Sequence, residues 1–145
     1  RSNVRNIHSM EVITKSATET QGFGQKFGSS LRGGEIIALV GELGSGKTTF
    51  VQGLAKGLGL KVRIISPTFI LMRKYGENFY HLDLYRLESD VWNEVKNLGV
   101  SDLWGGNNIF VIEWAEKIKE HLPEETIWIR FEQVGDNERK ITVEK

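Results

Sequence analysis

Apolar residues along this chain fall into short blocks of two distinct periods. Glu35 to Val40 and Asn108 to Ile112 carry nearly continuous apolar runs rich in β-branched residues, the pattern of strands covered on both faces. Alternation marks other strands. Ile127, Ile129 and Phe131 face one way, as do Ile141 and Val143 across the Gly135-Asp136 turn, so the spacing predicts a closing antiparallel hairpin. A second hairpin is expected where Ile70 to Tyr75 and Phe79 to Leu84 flank Gly76-Glu77-Asn78. A further strand is expected at Glu11 to Ile13.

Helical spacing fills the intervals. Ser16-Ala17-Thr18-Glu19 is a capping box, followed at helical spacing by Phe23, Phe27 and Leu31, which predicts a helix over Ala17 to Ser30 despite Gly22, Gly24 and Gly28. Thr48 to Leu58 reads as a helix with Val51, Leu54, Ala55 and Leu58 inward, and shorter helices are expected at Asp90 to Leu98 and Ala115 to His121, the latter stopped before Pro123. Interleaved strands and helices with intruding hairpins make a mixed α/β domain.

Between the first buried strand and the second helix lies Gly41-Glu42-Leu43-Gly44-Ser45-Gly46-Lys47-Thr48, a complete G-x-x-x-x-G-K-[ST] phosphate loop. The chemistry needs that placement: glycines let several backbone N–H groups turn inward onto phosphate oxygens, and the helix N-terminus adds partial positive charge. Glu42, Gly44, Ser45, Gly46, Lys47, Thr48 and Thr49 are therefore the expected nucleotide contacts, with Lys47 on the β and γ phosphates and the Thr48 hydroxyl on Mg²⁺. The fold expected is a P-loop NTPase-like three-layer α/β sandwich with parallel core strands and antiparallel hairpins. No Asn/Thr-Lys-x-Asp guanine element follows the loop, which favours ATP and ADP.

Such a site also needs a carboxylate at the end of a neighbouring buried strand. Glu113, closing Ile109-Phe110-Val111-Ile112, is one candidate, with an ordinary solvent-facing strand-end acid as the alternative. Asp83, in His81-Leu82-Asp83-Leu84-Tyr85-Arg86, is the other; it can orient water or serve the metal, or form a strand-end ion pair with Arg86. His81 is read as a packing or hydrogen-bonding residue. Thr68, in Ser66-Pro67-Thr68-Phe69, is a candidate γ-phosphate sensor, and a simple Ser-Pro turn fits equally well. Trp92 and Trp104 lie in an irregular stretch suited to a partner-facing surface.

Composition narrows the possibilities. The 145 residues include no Cys, which excludes disulfide scaffolds and thiolate chemistry, and 19 Lys+Arg balance 19 Asp+Glu. A formal net charge of zero argues against a free-standing nucleic-acid binder, which normally carries a strong basic excess on one face. Residues 1–9 are polar and aperiodic and are expected to be an appended remnant or disordered tail, with 10–145 forming one domain; setting Arg1 and Arg5 aside leaves 17 basic against 19 acidic residues. No apolar run approaches the roughly 18–20 residues of a membrane span, so the cytoplasm is the expected compartment.

Taken together, the phosphate loop, Ser66-Pro67-Thr68-Phe69, His81 to Arg86, the Leu98-Gly99-Val100 turn with Asp102, and Ile112-Glu113-Trp114 resemble the TsaE (YjeE) family in order and spacing, from about Met10 to Val143. These are small bacterial P-loop ATPases of the tRNA threonylcarbamoyladenosine pathway. The resemblance implies that Thr48 and Glu113 serve Mg²⁺, that Asp83 is needed for hydrolysis, and that the stretch around Thr18 lies near the adenine. It also implies partnership with TsaD and TsaB, which transfer a threonylcarbamoyl group to adenosine 37 of tRNAs decoding ANN codons, with ATP hydrolysis resetting that complex. Slow hydrolysis alone is expected, because the residues assign no Arg to the transition state. A small P-loop metabolite kinase and a non-hydrolysing ATP-sensing adaptor are the alternatives. The neutral charge fits action on tRNA through partner proteins.

Overall fold

The computed structural model describes residues 9–42, 44–65 and 71–144. Its strands are β1 (Met10–Thr14), β2 (Ile36–Val40), β3 (Met72–Tyr75), β4 (Phe79–Asp83), β5 (Ile109–Glu113), β6 (Ile127–Gln133) and β7 (Arg139–Glu144). They form one sheet in the order β1-β7-β6-β2-β5-β4-β3. The four inner strands, β6, β2, β5 and β4, run parallel. Antiparallel pairing adds β3 outside β4, β7 outside β6, and β1 outside β7. This is the three-layer sandwich expected from the sequence.

Two-residue periodicity divides the core between the sheet's faces. On one face Ile37, Leu39, Ile109, Val111 and Ile129 pack under α1 (Ala17–Ser29) and α2 (Lys47–Gly57), with Phe50 at the centre. Its ring lies 5.9 Å from Phe23, 5.7 Å from Phe27 and 5.4 Å from Phe131. On the other face Ile36, Ala38, Leu82, Phe110 and Ile112 pack under α3 (Val91–Asn97), α4 (Val100–Leu103) and a 3₁₀ segment at Ala115–His121. The stretch from Ser89 to Glu120, which a kinase would need for a lid and acceptor pocket, is largely spent on this second layer. No helix among the described residues is long and apolar enough to cross a membrane.

The glycines that weaken α1 as an isolated helix have a tertiary use. A Cβ at Gly24 would sit 2.3 Å from the Phe50 carbonyl oxygen, and one at Gly28 2.3 Å from that of Leu54. Gly53 and Gly57 reciprocate from α2, where a Cβ would lie 2.0 Å from Gln21 O and 2.2 Å from Gln25 O. Glycine at these four positions lets the two backbones touch. The capping box also forms: Ser16 Oγ accepts from Glu19 N at 3.1 Å, while the Glu19 carboxylate accepts from the backbone of Lys15 at 2.7 Å.

Two elements differ from expectation. The run from Ala115 to His121 is a 3₁₀ segment broken at Ile118 (φ −127°, ψ 26°) rather than an α-helix. It must bury Ile118, while the adjacent Lys117 Nζ reaches the carbonyls of Leu84, Tyr85 and Leu87 at 2.7–3.0 Å. The short helix α4 follows Gly99, whose φ of 77° allows the sharp re-entry.

Candidate active site

The buried strands β2, β5 and β4 end side by side, and the crevice beyond their C-terminal ends holds the chemistry, as in open parallel sheets generally. From β2 the chain passes through the phosphate loop into α2. Gly44 and Gly46 take left-handed φ values of 79° and 104°, and Gly41 lies so close to β6 that a Cβ would stand 2.8 Å from the Phe131 carbonyl oxygen.

A cavity of about 330 Å³ opens over this loop. Gly44, Gly46, Lys47, Thr48, Thr49, Asp83 and Glu113 line it, so the loop and both strand-end acids meet in one place. Asp83 and Glu113 stand opposite one another on neighbouring parallel strands. Glu113 is not a solvent-facing acid: it is 4% exposed, and its Oε2 lies 2.7 Å from Nε2 of the fully buried His81. That bond is the role expected of His81. Asp83 is half-buried and its Oδ1 accepts from the backbone N–H of Tyr85 at 3.0 Å, which fixes the acid where the strand turns away.

Lys47 is 4% exposed. Its ammonium donates to the Gly41 carbonyl and lies 4.3 Å from the ring centroid of Trp114. Burial lowers its pKa from the ordinary 10.5, opposed by the negative charges of Glu113, Asp83 and Glu116. Trp114 itself has φ 61° and ψ 36°, a left-handed backbone that costs a non-glycine residue energy and that clusters at functional sites.

Other expected residues fall elsewhere. Glu42 and Ser45 border an adjoining cavity, reached across Trp114, which lines both. Thr18 is exposed on α1 and lines neither; Ser16, Ala17 and Thr20 of that region form the wall instead. Thr68 lies outside the described residues. Trp92 and Trp104 are half-buried and stacked, 6.1 Å between centroids, with Trp92 also on His121 at 4.5 Å.

Residues that sequence reasoning missed complete the lining. Asn137 and Arg139, at the last hairpin, line the cavity, and Arg139 Nη2 donates to the Gly44 carbonyl at 3.2 Å. Local sequence carries no signal for them, since only the placement of β7 brings them to the loop.

Oxygen donors dominate the prospective metal position: the Thr48 hydroxyl and the carboxylates of Glu113 and Asp83. That set suits Mg²⁺, which prefers one or two carboxylates, phosphate oxygens and water to an all-protein cage. No cluster of three or more His, Cys, Asp or Glu able to hold a metal occurs among the described residues.

A phosphate loop between a buried strand and a helix, with acids closing the two strands on one side, defines a P-loop nucleoside triphosphatase. The family model described as "Threonylcarbamoyl adenosine biosynthesis protein TsaE" matches residues 14–141. Among relatives bearing the name tRNA threonylcarbamoyladenosine biosynthesis protein TsaE, that of Bacillus subtilis is 36% identical over 132 residues (89% of this chain, 81% of the relative). That of Treponema pallidum is 39% identical over 136 residues (92% of this chain, 99% of the relative). The crystal structure of Bacillus YdiB superposes with a TM-score of 0.77 at 32% identity, covering 93% of this chain and 84% of that one. The chain belongs to the TsaE family, and is accordingly a Mg²⁺-dependent ATPase of tRNA threonylcarbamoyladenosine modification.

Proposed function

We propose that this chain hydrolyses ATP to remodel a TsaD–TsaB complex in the cytoplasm, and that its residues divide the work as follows. Lys47 and the backbone N–H groups of the loop hold the β and γ phosphates and stabilise charge on the transferring phosphoryl group. Thr48 and Glu113 hold Mg²⁺, which neutralises phosphate charge when bound. Asp83 orients the attacking water, and Trp114 shields Lys47 from solvent. Thr68 is retained as a candidate γ-phosphate sensor.

The observation that supports this reading is the convergence of Lys47, Thr48, Asp83 and Glu113 on one cavity. Asp83→Ala and Glu113→Ala are expected to reduce turnover at least 100-fold, within the roughly 10²–10⁴ supplied by a positioned acid or base, while retaining ATP binding. Lys47→Ala should weaken binding itself. Association with purified TsaD and TsaB, assayed with and without ATP, tests the partnership. No association in either state, or no stimulation of the slow intrinsic turnover, would sink it.

A further inference from the structure

The bond between His81 and Glu113 points to a role beyond packing. Both side chains are buried, at 0% and 4% exposure, and no other histidine of the chain lies near in sequence. An ionised carboxylate only accepts, so His81 Nε2 carries the proton and donates to Oε2 at 2.7 Å. Its Nδ1 has no hydrogen-bond partner among the described residues. A bare lone pair tolerates that position, whereas a second buried N–H would be costly, so the geometry selects the Nε2–H tautomer.

The sheet explains how the two meet. His81 and Asp83 lie two residues apart on β4 and so share a face, while Glu113 stands opposite Asp83 on β5. The imidazole thus approaches Glu113 from one step deeper in the sheet. The Lys47 ammonium lines the same cavity as Glu113 and is coupled to its charge. Left without His81, a buried carboxylate would be drawn towards that ammonium and compete with phosphate for it.

We propose that His81 is a positioning residue: it holds Oε2 of Glu113 so that Oε1 is the oxygen offered to Mg²⁺, and it keeps the acid from pairing with Lys47. The inference rests on the assignment of Glu113 to the metal made above. Partners of this kind behind a metal-binding group typically account for about 10–100-fold in metal affinity.

The test uses the full chain and three variants, His81→Leu, His81→Gln and Glu113→Gln, with folding checked by thermal melting. The readouts are the affinity for a fluorescent ADP analogue across a Mg²⁺ series and Mn²⁺ binding to the ADP complex by electron paramagnetic resonance. His81→Leu is expected to raise the half-saturating metal concentration at least about 10-fold, with nucleotide affinity in EDTA changed less than about twofold. His81→Gln, whose amide N–H can reach the same oxygen, should recover most of the loss. A folded His81→Leu with wild-type metal dependence, alongside a Glu113→Gln that loses it, overturns the proposal and leaves Glu113 as a ligand. Unchanged metal dependence in Glu113→Gln overturns the ligand assignment and the proposal with it. Should His81→Leu not fold, His81→Gln against His81→Asn decides, because the shorter amide cannot reach Oε2; equal metal dependence in the two overturns the proposal.

Discussion

Adding a single methyl group at Gly53 should reverse the usual effect of replacing glycine by alanine in a helix. Alanine is normally favoured by about 0.8–1 kcal/mol in a helix interior. At Gly53 the new Cβ would lie 2.0 Å from the Gln21 carbonyl oxygen and 2.8 Å from its carbon. Both atoms are main chain, so no side-chain rotation relieves the contact, and reaching an ordinary separation of roughly 3.3 Å means parting α1 from α2 by about 1.3 Å. Overpacking of this kind costs about 1–3 kcal/mol, and the parting also loosens Phe50 from Phe23 and Phe27. Gly22 provides the control. It lies on the same pair of helices with nothing within 4 Å of its would-be Cβ, so Gly22→Ala should gain about 0.5–1 kcal/mol. The two variants should therefore differ by about 1.5–4 kcal/mol, or roughly 4–16 °C in melting temperature for a chain of this size. Urea denaturation, with the m-value checked for constancy, measures the difference. If Gly53→Ala proved as stable as Gly22→Ala, the backbone-to-backbone contact would be wrong.

Three further outcomes follow from the site. Burial lowers the Lys47 pKa below 10.5, so the unfolded chain binds more protons than the folded one between that lowered value and 10.5, and the nucleotide-free protein should gain stability as pH rises through that window. Because phosphate favours the ammonium form, ADP affinity should fall over the same window, and titrations from neutral pH to 10.5 should show no such fall in Lys47→Met. Arg139→Ala should weaken ATP binding about fivefold by calorimetry, corresponding to about 1 kcal/mol for one lost polar contact at the loop; unchanged affinity would remove Arg139 from the site.

Elements whose signal is local were legible in the sequence, and those made by assembly were not. The apolar runs of β2 and β5, the Gly76 turn and the Ser16 cap each depend on neighbouring residues, and each occurs where the pattern places it. The phosphate loop is a contiguous motif, and both acids were readable as strand ends. Arg139 and Asn137 were not, because they reach the loop only through the pairing of β7 between β6 and β1. Likewise the bond of His81 to Glu113 joins residues 32 positions apart, through the parallel adjacency of β4 and β5. The glycines of α1 were legible only as a weakness, since their value lies in a second helix. Trp114 carries no sequence sign of a left-handed backbone, which β-strand, loop and core positions of tryptophan conceal alike.

Strand β1 pairs with β7, Met10 standing opposite Val143, and among the described residues no other strand adjoins it. During synthesis β1 emerges before β7 and must wait, without this ladder partner, until β7 has followed. The parallel centre and the loop can assemble beforehand, but the walls carrying Ser16 and Arg139 close on the cavity only once β7 is paired. The cavity is therefore complete only when two strands far apart in the sequence have paired, which ties the finished site to the outer edge of the sheet.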